Sequence, residues 1–328
     1  MPSQDLHVSQ MIEITDGWET DIYSFDLEGL RGDDKGIEKL VVRLYSGPWA
    51  AHKARNEFGL LQRLHRAGYP VPKVSLLEVN STHLGQPFIL MERIEGNPMW
   101  NLLESETDSS PLFRLFCRLF FDLHELDWRF LVENEEEFKG LDSEKSVSRW
   151  IEKYEGRAEE LGSDELLELV KWLRGKSDSV SFAKLSAVHN DFHPNNILID
   201  SNGQPFVIDW TAADLTDYRV DLAWTLVLSK VYVGDSMRDI ILRGYENASQ
   251  KKVEDIQFFE ALGSLRRLTD IIVSLNIDSE NIGLRNGAAD MIREQLPQNM
   301  TLLEIVRNHT GLELPGIRRM MSGERIQR

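Results

Sequence analysis

The stretch Ala187 to Trp210, AVHNDFHPNNILIDSNGQPFVIDW, decides how the chain is read. A short apolar run containing Leu185, Ala187 and Val188 feeds the polar segment HNDFHPNN. Two further apolar runs, Ile197-Leu198-Ile199 and Phe206-Val207-Ile208, are separated by a turn and closed by Asp209. Asn202-Gly203 is the dipeptide that best tolerates two successive positive φ angles, so the spacing predicts a two-residue type I′ hairpin with Ser201 facing Gln204. In that register Ile199 faces Phe206, Ile197 faces Ile208, and Asn196 falls opposite Asp209 with Cβ atoms about 5 Å apart. An amide oxygen and a carboxylate then converge, with Asp191 five residues before Asn196. Oxygen ligands of this kind suit a hard divalent cation such as Mg²⁺ carrying phosphate oxygens.

The pattern His189-x-Asp191-x-x-x-x-Asn196 followed by Ile208-Asp209-Trp210 resembles the catalytic loop and metal-binding aspartate of the aminoglycoside phosphotransferase and choline kinase-like family, small-molecule relatives of the protein kinases. The resemblance implies that Asp191 receives or orients the substrate hydroxyl, and that Asn196 and Asp209 hold Mg²⁺ against the phosphates of ATP. It also implies support of the site by His189 and by Asp221, the Asp before Leu222-Ala223, which braces the catalytic loop. Trp210-Thr211 stands where protein kinases have Phe-Gly, a departure that speaks against a flipping activation segment. Two rival readings stay open. His189, Asp191 and His193 alternate along an extended segment and could ligate a transition metal in a hydrolase, although Pro194 and the lack of a downstream His or Cys cluster count against it. A degenerate module that binds nucleotide without catalysis is disfavoured by the intact Asp191, Asn196 and Asp209 set.

Composition bounds the rest. At 328 residues the chain exceeds the usual size of a single core, and 41% hydrophobic content suffices to fill two lobes. The sole cysteine, Cys117, excludes an intrachain disulfide and lies in an apolar helical run, so a packed thiol in a reducing compartment is expected. MPSQDLHVSQ lacks a basic-then-apolar signal pattern, and no apolar run approaches the roughly 18 residues that span a bilayer, so a cytoplasmic protein is expected. A net charge of −17 would repel phosphate backbones and anionic headgroups, which argues against nucleic-acid or membrane partners and favours a cationic small substrate.

Alternation of Tyr23, Phe25 and Leu27 predicts a strand, preceded by a turn at Thr15-Asp16-Gly17-Trp18 that lacks a Gly-x-Gly-x-x-Gly pattern; Gly29, Gly32 and Gly36 mark a polar loop. The next strand, Leu40 to Tyr45, contains Arg43, whose permanent charge needs solvent or a partner. From Trp49 to Ala67 the spacing of Ala50, Ala54, Phe58, Leu61 and Leu64 predicts a helix with Glu57 beside its apolar face. By the kinase-like pattern Arg43 would contact the α/β-phosphates and be held by Glu57, its planar fork serving a carboxylate and a phosphate together. Val74 to Leu77 and Pro87 to Met91 read as central strands. By resemblance, the Glu92 carbonyl and the Ile94 N–H at the hinge that follows would bind the adenine edge.

Pro98 to about Lys184 is helical in pattern, with Leu112, Phe113, Leu115, Phe116, Leu119, Phe120 and Leu123 as core and Glu133 to Glu137 as an exposed loop or helix start. Ser236 to Tyr245, Val253 to Leu275 and Leu302 to Val306 predict further helices. The expectation is an α+β protein kinase-like fold, with residues 1–95 as a small strand-rich nucleotide lobe and 96–328 as a large, mainly helical catalytic and substrate lobe. The activity expected is transfer of the γ-phosphoryl group of ATP to a hydroxyl of an aminoglycoside-, macrolide- or choline-like acceptor. The sequence has no Gly-x-x-x-x-Gly-Lys-Ser/Thr loop, which argues against a P-loop kinase.

Overall fold

The computed structural model describes residues 6–14, 20–29, 37–105, 110–276 and 293–323; the expected turn at Thr15 to Trp18, and Gly32 and Gly36, lie outside them. Extended segments β1 (His7–Ile14), β2 (Thr20–Glu28), β3 (Ile37–Tyr45), β4 (Val74–Glu78) and β5 (Phe88–Glu92) make an antiparallel sheet in the order β1-β2-β3-β5-β4. β4 is thus an edge strand, not a central one. The helix α1 (Ala50–Arg66) carries the chain past the place beside β3, which the later β5 takes, and Leu76 of β4 is left exposed.

The two-residue period of a strand sorts β3 into two faces. Leu40 and Val42 pack with Phe25 and Phe88 on one side. Arg43 and Tyr45 turn to the other, where both meet Glu57 of α1. The buried stripe of α1 is Ala50, Ala54, Glu57, Leu61 and Leu64. Glu57 therefore lies inside the apolar stripe rather than beside it, and is 3% exposed.

Beyond the sheet, β6 (Gly96–Pro98) pairs with β8 (Ile197–Asp200), which pairs with β9 (Pro205–Val207); β7 (Leu185–Val188) pairs with β10 (Asp214–Asp217). Around these ribbons lie α2 (Met99–Ser105), α3 (Ser110–Glu125), α4 (Ser143–Glu160), α5 (Asp164–Ser177), α6 (Tyr218–Tyr232), α7 (Asp235–Ser249) and α8 (Ile256–Asn276). A single turn at Leu296–Asn299 leads to α9 (Thr301–Thr310) and α10 (Pro315–Met321). The α8 helix starts at Ile256, three residues after the expected Val253. Val220, Leu222, Ala223, Leu226, Val227 and Val231 bury α6 on nearly every side, which makes it the axis of the helical part. Cys117 is buried on α3, and burial pushes its thiol up to about 12, in keeping with a packed residue. No helix among the described residues is long and apolar enough to cross a membrane.

The hairpin closes differently from the sequence-derived register. Ile197 pairs with Val207, Leu198 with Phe206 and Ile199 with Pro205. The Asp200 carboxylate is the cause: it accepts the N–H groups of Asn202 and Gln204, both at 2.8 Å, and widens the turn to Ser201, Asn202 and Gly203. Gly203 has φ +78, and Asn202 is not among the positive-φ residues. A turn of this kind replaces the two-residue I′ geometry and moves the pairing by one residue.

Gly96 couples the strand after the hinge to this hairpin, because a Cβ at Gly96 would meet the Ile199 carbonyl oxygen at 2.6 Å and its carbon at 2.8 Å. Gly96→Ala must push β6 from β8, and overpacking of this kind costs about 1–3 kcal/mol. Urea unfolding measures the loss; a wild-type midpoint would mean that the two strands separate without cost.

Candidate active site

The loop between β7 and β8 is shaped by a buried carboxylate. Asp221, fully buried at the start of α6, accepts the His189 N–H at 2.6 Å and the Asn190 N–H at 2.8 Å, while His124 closes on it at 3.3 Å. Both amides point one way because Asn190 is left-handed, at φ 63, and its own Nδ2 donates to the Ala212 carbonyl at 3.0 Å. Asn tolerates that region better than most residues. Phe192 anchors the loop in the core: its ring stacks on Phe120 at 4.2 Å, and its carbonyl accepts the Thr225 hydroxyl at 2.8 Å. Alternation then leaves Asp191 and His193 facing outward.

His189 is fully buried and both ring nitrogens are engaged. Nε2 donates to the Ile208 carbonyl at 3.0 Å, and Nδ1 accepts the Asp191 N–H at 3.3 Å. It holds the loop to the strand that leads into Asp209. A ring so committed cannot also ligate a metal, and among the described residues no group of three or more His, Cys, Asp or Glu could hold one. The zinc-hydrolase arrangement of His189, Asp191 and His193 is not what these residues form.

Asp191 accepts the Trp224 indole N–H at 3.1 Å, with His193 Nε2 at 3.4 Å and Asn196 Nδ2 at 3.3 Å on its other oxygen. Burial would raise its pKa. The His193 ring and the Trp224 N–H outweigh that and hold the carboxyl well below the ordinary carboxylate range. Asn196 also donates Nδ2 to the Asp191 carbonyl at 2.9 Å, so its amide nitrogen is spent on Asp191.

In the observed register Asn196 pairs with Ile208, whose N–H reaches the Asn196 carbonyl at 2.9 Å, not with Asp209. Asp209 lies one residue beyond the ladder in a left-handed conformation, φ 66. There its Oδ1 takes the Arg43 Nη2 at 2.6 Å and the Thr211 hydroxyl at 3.2 Å. Burial would raise the Asp209 pKa, but the Arg43 charge brings it below its usual value, against the neighbouring charge of Asp191. Trp210 is buried beside it, its indole N–H on the Val207 carbonyl at 3.0 Å and its ring against His189 and Tyr69.

Arg43 joins three elements. Nε donates to the Thr20 hydroxyl at 3.1 Å, Nη1 to Glu57 at 3.0 Å and Nη2 to Asp209. Its planar fork thus serves two carboxylates and a hydroxyl, where the sequence reading gave it one carboxylate and a phosphate. Burial opposes its charge, and Glu57 and Asp209 together more than offset that. Tyr45 donates its hydroxyl to Glu57 at 2.6 Å; burial still keeps Glu57 above its usual pKa despite Arg43. At the end of β5, the Glu92 N–H donates to the Lys73 carbonyl at 2.9 Å and the Glu92 carboxylate accepts the Lys73 N–H at 2.7 Å, which fixes the strand end just before Ile94.

Thr20, Tyr45, Trp224 and Arg266 escaped the sequence reading. Trp224 directly follows Asp221-Leu222-Ala223, a signal that could have found it; Arg266 lies on α8 and no motif marks it. A cavity of about 650 Å³ lies behind α1 between Leu60, Arg63, Phe138 and Ala213 and is not lined by Asp191.

A sequence model of the APH family, the phosphotransferase enzyme family, matches residues 11–257. This chain belongs to that family. Among solved structures, a Ralstonia eutropha protein described as an aminoglycoside phosphotransferase has the same fold, with a TM-score of 0.68 at 15% identity over 92% of this chain and 93% of that one. The choline kinase LicA from Streptococcus pneumoniae gives a TM-score of 0.58 at 15% identity over the same shares. Mouse acyl-CoA dehydrogenase family member 10 is 28% identical over 214 residues, 62% of this chain and 19% of that protein. The Pongo abelii family member 11 is 26% identical over 179 residues, 53% of this chain and 22% of that protein. This phosphotransferase-family chain therefore spans about a fifth of the length of the curated relatives it matches.

Arg43→Met would leave Glu57 buried without its cation, and breaking a buried pair typically costs about 3–5 kcal/mol. The double variant with Glu57→Gln should recover part of that loss, with a coupling of about 0.5–3 kcal/mol in urea unfolding. Strict additivity would mean that the contact carries no energy.

Proposed function

We propose that this phosphotransferase-family chain is a small-molecule kinase that transfers the γ-phosphoryl group of ATP to a hydroxyl of a low-molecular-weight acceptor. The observation that carries this reading is the meeting of Asp191 and Asp209, two carboxylates from separate segments that Trp224 and Arg43 hold ionised and oriented.

The oxygen donors present fit a hard cation. Arg43 and Thr211 both bond Oδ1 of Asp209, and among the described residues its Oδ2 takes no hydrogen bond. With Nδ2 of Asn196 on Asp191, the amide oxygen is the atom left to meet a metal. Asp209 and Asn196 would hold Mg²⁺, which when bound neutralises phosphate charge and fixes phosphate geometry. Arg43, steadied by Glu57, lies where it can exchange part of its hold on Asp209 for a phosphate oxygen. Ile22 and Val41 are on the same face of the sheet as Arg43, a half-buried apolar surface suited to an adenine ring, whose edge the Glu92 carbonyl and the Ile94 N–H would bind.

Asp191 then orients the acceptor hydroxyl. Its depressed pKa makes it a weak proton acceptor in the resting enzyme, so proton transfer comes late, as the hydroxyl acidifies on bonding to phosphorus. The new bond forms between that oxygen and the γ-phosphorus. The bond to the β–γ bridging oxygen breaks with its electron pair remaining on ADP, and the proton passes to Asp191 and on to solvent.

Asp191→Asn keeps the shape and removes the acceptor charge, so turnover of the best acceptor in an ATP-consumption assay, over a panel of aminoglycosides, macrolides, choline, ethanolamine, glycerate and glycerol 3-phosphate, should fall by at least about 10²-fold. Mg·ATP affinity by calorimetry should hardly change. Asp209→Asn should show the reverse emphasis, losing Mg²⁺-dependent nucleotide binding. A fully active Asp191→Asn protein would remove that residue from the reaction, and wild-type nucleotide affinity in Asp209→Asn would remove the metal assignment.

A further inference from the structure

The side of Asp191 away from the sheet is cationic, in a chain whose net charge is −17. Trp224, which donates to Asp191, carries the Arg266 guanidinium on its ring, with Cζ 3.6 Å from the centroid. The same guanidinium lies 5.6 Å from the Trp150 ring of α4, and its Nη1 donates to the carbonyl of Asn190, the residue before Asp191, at 3.0 Å. Lys153 stands over Trp150 at 5.3 Å and Tyr154 at 5.6 Å, and Arg157 over Tyr154 at 5.7 Å.

Two carboxylates stand among these cations: the charge that acts most on Asp270 is that of Arg266, followed by Arg157, and Asp270 and Asp214 both act on Lys153. Asp270 is bonded to Arg157 at 3.1 Å, and Asp214 to the Trp150 indole at 3.0 Å. Among the described residues no carboxylate lies within ion-pair distance of Arg266 or Lys153. Burial, followed by the charges of Arg157 and Arg266, lowers the Lys153 pKa, as expected where cations are crowded. A guanidinium offers five N–H donors, and one carbonyl uses only part of that capacity.

We propose that the acceptor is a hydroxylated organic anion, bound with its hydroxyl on Asp191 and its anionic group on Arg266 and Lys153, the cations on the Trp224 and Trp150 rings. This rests on the kinase reading of the same site. It runs against the cationic substrate that net charge favours, because the field at a site is set by the groups around it rather than by the whole-chain sum. A planar fork fits a carboxylate or a phosphate ester in two-point contact.

The test is calorimetric titration of the full chain, with and without Mg·AMP-PNP. The probes are glycerate and glycerol 3-phosphate as anions, glycerol as the neutral analogue, and choline and ethanolamine as cations. At least one anion should bind at least about tenfold more tightly than glycerol, as expected for a charge-assisted hydrogen bond, and the pair shows whether carboxylate or phosphate is preferred. Arg266→Gln should remove that advantage and Arg266→Lys restore part of it. Lys153→Gln, at an exposed position away from Asn190, should weaken anion binding severalfold even if Arg266→Gln misfolds. Equal binding of anions and glycerol, preference for choline, or an Arg266→Gln effect confined to AMP-PNP would each overturn the proposal. Failure of Mg·AMP-PNP to bind would instead overturn the kinase reading, while the titrations without nucleotide still report on the anion site.

Discussion

One guanidinium ties the sheet, its helix and the segment that carries Asp209 together. Arg43 leaves β3 among apolar neighbours, and its charge is tolerable there only because Glu57 and Asp209 sit on two arms of the fork and Thr20 on the third. Glu57 is in turn tolerable inside the stripe of α1 only because Arg43 and Tyr45 reach it. Removing Arg43 would leave Glu57 buried without its cation and Asp209 without its partner. The position of α1 against the sheet is thereby linked to the position of Asp209, more than 150 residues away in the chain.

The second constraint is backbone conformation. Asn190 and Asp209 both hold left-handed φ angles, of 63 and 66, which side chains adopt at a cost and which persist where surrounding contacts enforce them. For Asn190 those contacts are the Asp221 carboxylate and the Ala212 carbonyl; for Asp209 they include the Arg43 bond and the His189 ring below the strand that leads to it. Asn190 turns its side chain onto the Ala212 carbonyl, and Asp209 turns its carboxylate onto Arg43. Phe192, stacked on Phe120 between the two outward residues Asp191 and His193, keeps the loop from sliding.

Charge is arranged by neighbourhood. The acidic excess of the chain gives no guide to the surroundings of Asp191, where His193 and the Trp224 indole meet the carboxylate and Arg266 lies on that indole's ring. Asp191 is held ionised by His193, Trp224 and His189 despite its burial.

Local signals determined much of this protein. The alternation of Tyr23, Phe25 and Leu27, the helical stripe around Leu61, the polar loop from His189 to Asn196 and the Asp209 that ends the next apolar run are all written within a few residues of one another, and each came out as the element its period predicts. The partnership of Arg43 with Glu57 and the bracing of the loop by Asp221 were legible through resemblance of spacing. Where the sequence reading erred, a side chain or a distant strand had intervened. The Asp200 carboxylate widened the Asn202-Gly203 turn and moved the register by one, and β5 displaced β4 to the sheet edge. The Arg43 bond to Asp209, the Trp224 bond to Asp191 and the Arg266 guanidinium on that indole were settled only by folding, because they join residues up to 166 positions apart whose meeting no local period encodes. Periodicity fixes which face a side chain takes; only packing decides what stands across from that face.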